Sequence, residues 1–243
     1  MAEPTDPQTS TCMPFMDKGG AETYRRKRYR LGPQRLLSRG EERIVGEAIA
    51  WLVSEKRVPV APMLLDVPCG YGRLLAVARG RTPHAIGADL SLAQARLARH
   101  SAPATVGDLM TGLPFADETF DVVLCARLLH HIQDVEGRDR IFRELARVTR
   151  GYVLLSYYHP LLLWRWQRRL VNLRARAWGK SRALEAVRRA LNARGSPKHL
   201  VALVEHDELV ARTAAVGLAL EREWTVVPGL HPHRFAALRK SRA

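Results

Sequence analysis

The stretch LLDVPCGYGRLL, residues 64–75, decides how the chain is read. An apolar run ends in Asp66, Gly70 and Gly72 follow within a few residues, and a helical pattern then resumes. Glycines let a backbone come close to a ligand, and a helix N-terminus offers unpaired N–H donors. Pro68 stands where a glycine-rich turn usually has its first glycine. By itself, then, the loop fits a cofactor site, a degraded one, or a strand running into a turn.

The order of elements around it is more informative. PMLLDV (62–67), HAIGAD (84–89), PATVGD (103–108), FDVVLCA (120–126) and YVLLSYY (152–158) read as short apolar strands, the fourth apolar enough to be central. Helices are predicted between them over 72–80, 91–100 with Ser91 as N-cap, and 135–150. An earlier helix is predicted over 41–56, with acids at its start. The alternation specifies an α/β fold, a parallel sheet covered by helices. A helix over 206–217 closed by Gly217 follows, and 218–227 and 233–240 read as an antiparallel terminal pair around a Pro-Gly turn.

Three strands in succession end in an acid: Asp66, Asp89 and Asp108. Each alone is an ordinary turn former. In order, at the carboxyl edge of a parallel sheet where ligands bind, they read as a nucleoside site. Asp89 stands 17 residues after Gly72, where an acid can accept from both ribose hydroxyls, and Asp108 could receive an adenine amine. A dinucleotide fits less well, because its fingerprint needs a third glycine where this chain has Leu75.

Bulk properties narrow the class further. At 243 residues the chain suits one domain, and its 47% apolar and 26% charged residues are ordinary for a globular protein. No apolar run approaches the roughly 20 residues that span a bilayer. Residues 1–20 read as a disordered leader and not as a secretory signal, with a single domain over 21–243, and a cytoplasmic protein is expected. Three cysteines at wide spacing indicate neither a disulfide framework nor a metal site. The net charge of +15 is concentrated in a basic arm (23–43, net +6) and a basic segment (160–200, net +10). Both attachments are expected to meet something anionic.

LLDVPCGYGRLL, then IGADLS, then VGDLMTGLPFADETFDVVLCARLLHHI together resemble the class I S-adenosylmethionine-dependent methyltransferases, in particular the small-molecule branch with quinone-biosynthesis enzymes. The resemblance covers about residues 41–158, and the terminal strand pair more loosely. It implies a Rossmann-like, seven-stranded, mostly parallel sheet with helices on both faces and an antiparallel last strand. It also implies S-adenosyl-L-methionine as cofactor. Asp66, Pro68, Cys69, Gly70, Tyr71 and Gly72 would cradle the methionine part of the donor. Asp89 would bind the ribose, Leu90 would pack on the adenine, and Asp108 and Leu109 would contact its other side. From the basic arm, Arg28 would meet the donor carboxylate, with Tyr24 folding over it.

Methyl transfer is an in-line displacement and needs a base only when the acceptor must first lose a proton. His130 and His131 after strand four, and Tyr157, Tyr158 and His159 after strand five, are the candidates, with His131 and His159 singled out as catalytic. The basic segment 160–200 reads as a helical insert or lid, with Leu163, Trp166, Leu170 and Leu173 on one stripe and arginines opposite. Such a pattern suits a lid packing on the core, peripheral contact with an anionic membrane on the inner face, or RNA. The expected activity is methylation of a small, apolar or lipid-associated molecule. An RNA methyltransferase and a catalytically silent donor-binding protein are the alternatives.

Overall fold

Alternating apolar strands and amphipathic helices produce, in the computed structural model, a seven-stranded sheet ordered β3-β2-β1-β4-β5-β7-β6. The structure describes residues 33–159, 202–228 and 231–241, so the leader, Tyr24, Arg28 and the basic insert lie outside the described residues. Strands β1 (Leu64–Asp66), β2 (Ala85–Asp89), β3 (Ala104–Val106), β4 (Phe120–Cys125) and β5 (Thr149–Tyr158) run parallel. β7 (His233–Lys240) inserts antiparallel between β5 and β6 (Leu218–Thr225). Helices α1 (Pro33–Ser54), α2 (Arg73–Arg79), α3 (Leu92–Ala98), α4 (Val135–Val148) and α5 (His206–Ala214) complete the order.

Every residue of β4 is buried, as its largely apolar sequence suits a central strand, and the one charged residue, Asp121, accepts from the Met63 amide and pairs with Arg150. The pleat sends Val122 and Leu124 to one layer and Val123 and Cys125 to the other. The first layer meets α1, α2 and α3 through Ile49, Leu75 and Ala98, and the second meets α4 and α5 through Ile141, Phe142 and Leu209. Ser91 caps α3 by accepting from the Gln94 amide, and Asp134 does the same for α4 at Gly137.

Two elements start three or more residues ahead of the sequence reading. α1 begins at Pro33, eight residues ahead of the predicted start, so residues 33–43 are helix and not arm. Proline is well suited to the first helical turn, where its missing N–H is no loss. Arg35, Arg39 and Arg43 recur at helical spacing, and Arg43 pairs with Glu47 at 2.9 Å. β5 begins at Thr149, directly on the end of α4, and not at residue 152. Its first residues pair across an irregular register with β4, which is why an alternation pattern does not show them.

Removing core volume at the centre of the sheet should be felt globally. Leu124→Ala is expected to lower unfolding free energy by about 2–5 kcal/mol, whereas Leu36→Ala, on the exposed face of α1, should change it by less than about 0.5 kcal/mol. Urea titrations of both variants check the contrast.

Candidate active site

The loop between β1 and α2 is shaped by backbone constraint. The Val67–Pro68 peptide is cis, and the Cys69 amide donates to Ala88 O at 2.8 Å, tying the loop to β2. Gly70 (φ +54°) and Gly72 (φ +92°) take left-handed conformations that side chains disfavour. A Cβ at Gly70 would face open space, so that glycine presents bare backbone at the carboxyl edge. A Cβ at Gly72 would lie 2.9 Å from Ala98 Cα, so this glycine lets the loop press directly on α3. Cys69 is a packing residue, buried against Gly87, and burial pushes its thiol up, far from a thiolate.

The three strand-end acids behave differently. Asp66 is 1% exposed, and neither carboxylate oxygen has a hydrogen-bond partner of ordinary geometry. Burial pushes its carboxyl up to about 8; Arg73 opposes that rise, the neighbouring Asp89 adds to it, and the Leu75 amide opposes it weakly. Asp89 accepts from the Gly70 amide at 2.8 Å through one oxygen and the Ser91 amide at 2.9 Å through the other. It thereby clamps the glycine loop to the start of α3, while burial raises its carboxyl against those two bonds. Asp108 is only half-buried and closes its own turn, accepting from the Met110 amide at 2.8 Å and the Thr111 hydroxyl at 3.1 Å. Leu90 is 44% exposed beside Asp89, an apolar face at the mouth of the site, whereas Leu109 is buried. Tyr71 is half-buried in the loop.

Beneath this loop lies a cluster absent from the sequence reading. Glu41 is fully buried in the first layer and is held by Arg73 at the start of α2 and by Arg127, at 2.8 Å, in the loop after β4. His233 Nδ1, at the start of β7, lies 3.2 Å away. Burial works against the Glu41 carboxylate, but His233, Arg73 and Arg127 outweigh it and hold the group down at about 2. His233 in turn is kept neutral by burial, which exceeds the pull of Glu41. Arg73 also reaches Glu42 and the Ser38 carbonyl, both at 3.1 Å.

A rim of rings completes the edge. His130, 8% exposed, and His131, exposed, sit on a 3₁₀ turn (Leu129–His131) with ring centroids 3.9 Å apart. Tyr158 at the end of β5 lies 4.9 Å from His130 and stacks on His233 at 4.7 Å and 4°. This contact follows from register, since Tyr158 and His233 are direct partners across β5 and β7. His231 sits 5.7 Å from Tyr158, and its Nδ1 accepts from the His233 amide at 3.3 Å. That bond leaves the proton of the neutral ring on Nε2. Burial lowers both His231 and His159, so both are neutral at pH 7. His159 Nδ1 is buried without a hydrogen-bond partner.

The structure thus brings Asp66, Pro68, Gly70, Tyr71, Gly72, Asp89 and Leu90 to one mouth, with His131 and His159 on the adjacent rim. Glu41, Arg127, His231 and His233 were not legible. Glu41 reads as a helix-start acid until α1 is extended, and His231 and His233 precede a strand whose place in the sheet no local pattern reveals. The His-x-His spacing was the available signal. Among the described residues no group of three His, Cys, Asp or Glu could hold a metal ion, and no helix is long and apolar enough to cross a membrane.

Comparison with known proteins agrees with this fold. Residues 65–155 match the family model described as a methyltransferase domain. A demethylmenaquinone methyltransferase of Streptomyces avermitilis is 30% identical over 131 residues, 51% of this chain and 54% of that protein. A probable tRNA methyltransferase 9B of Homo sapiens is 33% identical over 87 residues, 35% of this chain and 18% of that protein. The chain therefore spans about half or less of the curated relatives it matches. A magnesium protoporphyrin IX methyltransferase from Synechocystis PCC 6803, crystallised with S-adenosylhomocysteine, superposes with a TM-score of 0.68 at 18% identity, covering 96% of this chain and 100% of that one. The fold is that of the class I methyltransferases.

Two variants test the architecture of the site. Gly72→Ala combines a positive φ with a backbone clash and should cost about 2–3 kcal/mol in a denaturant titration. Glu41→Gln leaves two half-buried arginines short of a counter-charge and should cost about 3 kcal/mol or more at pH 7. Because the carboxyl of Glu41 is lowered from 4.5 to about 2, its stabilisation is complete above pH 4.5 and lost as pH falls toward 2. The stability gap between wild type and variant should close over that window in parallel thermal melts.

Proposed function

We propose that this chain, in which residues 65–155 form a methyltransferase domain, transfers a methyl group from S-adenosylmethionine to a small, apolar acceptor. The observation that carries this reading is the pairing of Asp66 and Asp89 at adjacent strand ends around the bare backbone of Gly70. Donor chemistry fits these groups. The unpartnered oxygens of Asp66 suit a cation, the free lone pairs of Asp89 suit ribose hydroxyls, and the exposed face of Leu90 suits an adenine ring. The donor supplies an electrophilic methyl on a sulfonium. The protein's own part is to hold the acceptor in line with it and exclude water.

The ring-lined rim over β4, β5 and β7 supports an acceptor that is small and largely apolar. The neutral rings of His159 and His231 can exchange hydrogen bonds with an acceptor heteroatom without burying charge. The basic segment 160–200 follows β5 in the sequence, and its net charge of +10 suits an anionic surface such as the inner face of a membrane. RNA is the second reading, favoured by the same positive charge and by the tRNA methyltransferase relative.

Calorimetry tests the donor. Wild type should bind S-adenosylmethionine, and Asp89→Ala, which loses both the loop clamp and a hydroxyl acceptor, should bind about 10–100-fold more weakly. No heat with either protein would sink the reading. Binding to transfer RNA that falls steeply with salt, together with methyl incorporation into it, would move the acceptor to the second reading. A product one methylene heavier among small molecules incubated with enzyme and donor supports the first.

A further inference from the structure

The methyl-donor reading leaves one group at the site in an unusual state. Among the described residues, the two oxygens of Asp66 are the only buried carboxylate oxygens without a hydrogen-bond partner. The groups facing Asp66 are Arg73 from α2, Asp89 from β2, Cys69 from the loop and Cys125 from β4. Both thiols are pushed up by burial and carry no charge. Asp89 is a like charge. Among the described residues Arg73 is the cation that acts on Asp66, and its guanidinium also binds Glu41, Glu42 and the Ser38 carbonyl. An isolated carboxylate in such surroundings takes up a proton in preference to staying charged.

We propose that Asp66 couples donor binding to proton release: its carboxyl group is protonated in the free protein and gives its proton to solvent when the cationic donor binds. The inference rests on the methyl-donor reading. The step balances simply, since one O–H bond breaks, the electron pair stays on the carboxylate, and the proton goes to the buffer. A cation within about 4–6 Å favours the ionised form, and the donor brings both a sulfonium and an ammonium. Asp66 carries the burden because each oxygen of Asp89 already accepts one amide hydrogen bond, from Gly70 and from Ser91, whereas those of Asp66 accept none of ordinary geometry. Glu41 has a part as well, because it pairs with Arg73, whose charge opposes the rise at Asp66 without supplying a hydrogen bond of ordinary geometry to its oxygens.

The sign follows from linkage. Burial lifts Asp66 to about 8, so the free protein holds the proton below that pH, and the bound form loses it. Calorimetric titration of the full chain with S-adenosylmethionine at pH 7, in buffers of different ionisation heat, should report close to one proton released per site. Asp66→Asn, a neutral amide of the same shape, should still fold and should bind with no release from this position. The donor's own amine is the same in both titrations and cancels in the difference. Affinity of the wild type should fall nearly tenfold between pH 7 and pH 6, and that of the variant should stay flat. A ligand-free readout is independent of binding: the stability advantage of Asp66→Asn should grow as pH rises from 4 toward 8. Binding of equal heat in every buffer, or equal proton counts for wild type and variant, overturns the inference and leaves the methyl-donor reading intact. Absence of binding in all buffers overturns that reading instead.

Discussion

The site depends on one buried carboxylate. Glu41 sits in the core facing two arginines and an imidazole that come from three separate parts of the chain. A charge so placed is tolerable only with its partners in position, and the same holds for the arginines. The contact therefore fixes α1 against the start of α2, the loop after β4 and the first residue of β7. Those are the elements that bear the glycine loop, the histidine turn and the ring-lined rim. Hydrophobic layers hold the sheet together, but they are indifferent to a shift of an ångström that Glu41 would not permit.

Around that anchor the acids divide the labour. Asp89 is a clamp that also faces the mouth, Asp108 makes its own turn, and Asp66 waits without a partner. A single motif at three strand ends thus serves three purposes, and the difference lies in which backbone amides reach each carboxylate. The imidazoles follow the same logic. His233 is fixed by stacking and by Glu41, whereas His231 has its tautomer set by a backbone amide.

The sheet, its helices and the mouth were largely legible because each is written locally. Strand periodicity, the Ser91 cap and the glycines at 70 and 72 are signals within a few residues. Several strands are shorter than their apolar runs: β1 stops at Asp66 although Val67 is buried and its amide still donates to Leu124 O at 2.8 Å. Glu41, Arg127 and the histidines before β7 escaped because their meaning is tertiary. Glu41 and Arg127 are 86 residues apart, and Tyr158 meets His233 only through the antiparallel register of β5 and β7. No window of sequence contains both ends of such a pair.

The position of β7 has a consequence for how the molecule is made. It is an inner strand, hydrogen-bonded to β5 on one side and β6 on the other, yet it is the last strand in chain order. During synthesis the parallel part of the sheet can form while β6, whose only strand partner in the sheet is β7, has nothing to pair with. Among the described strands, β5 gains its outer neighbour only once residues 233–240 have been synthesised. The same strand delivers His233 to Glu41, so closing the sheet and finishing the site are one event. A ribosome stalled short of that point would hold a nearly complete fold with half a rim.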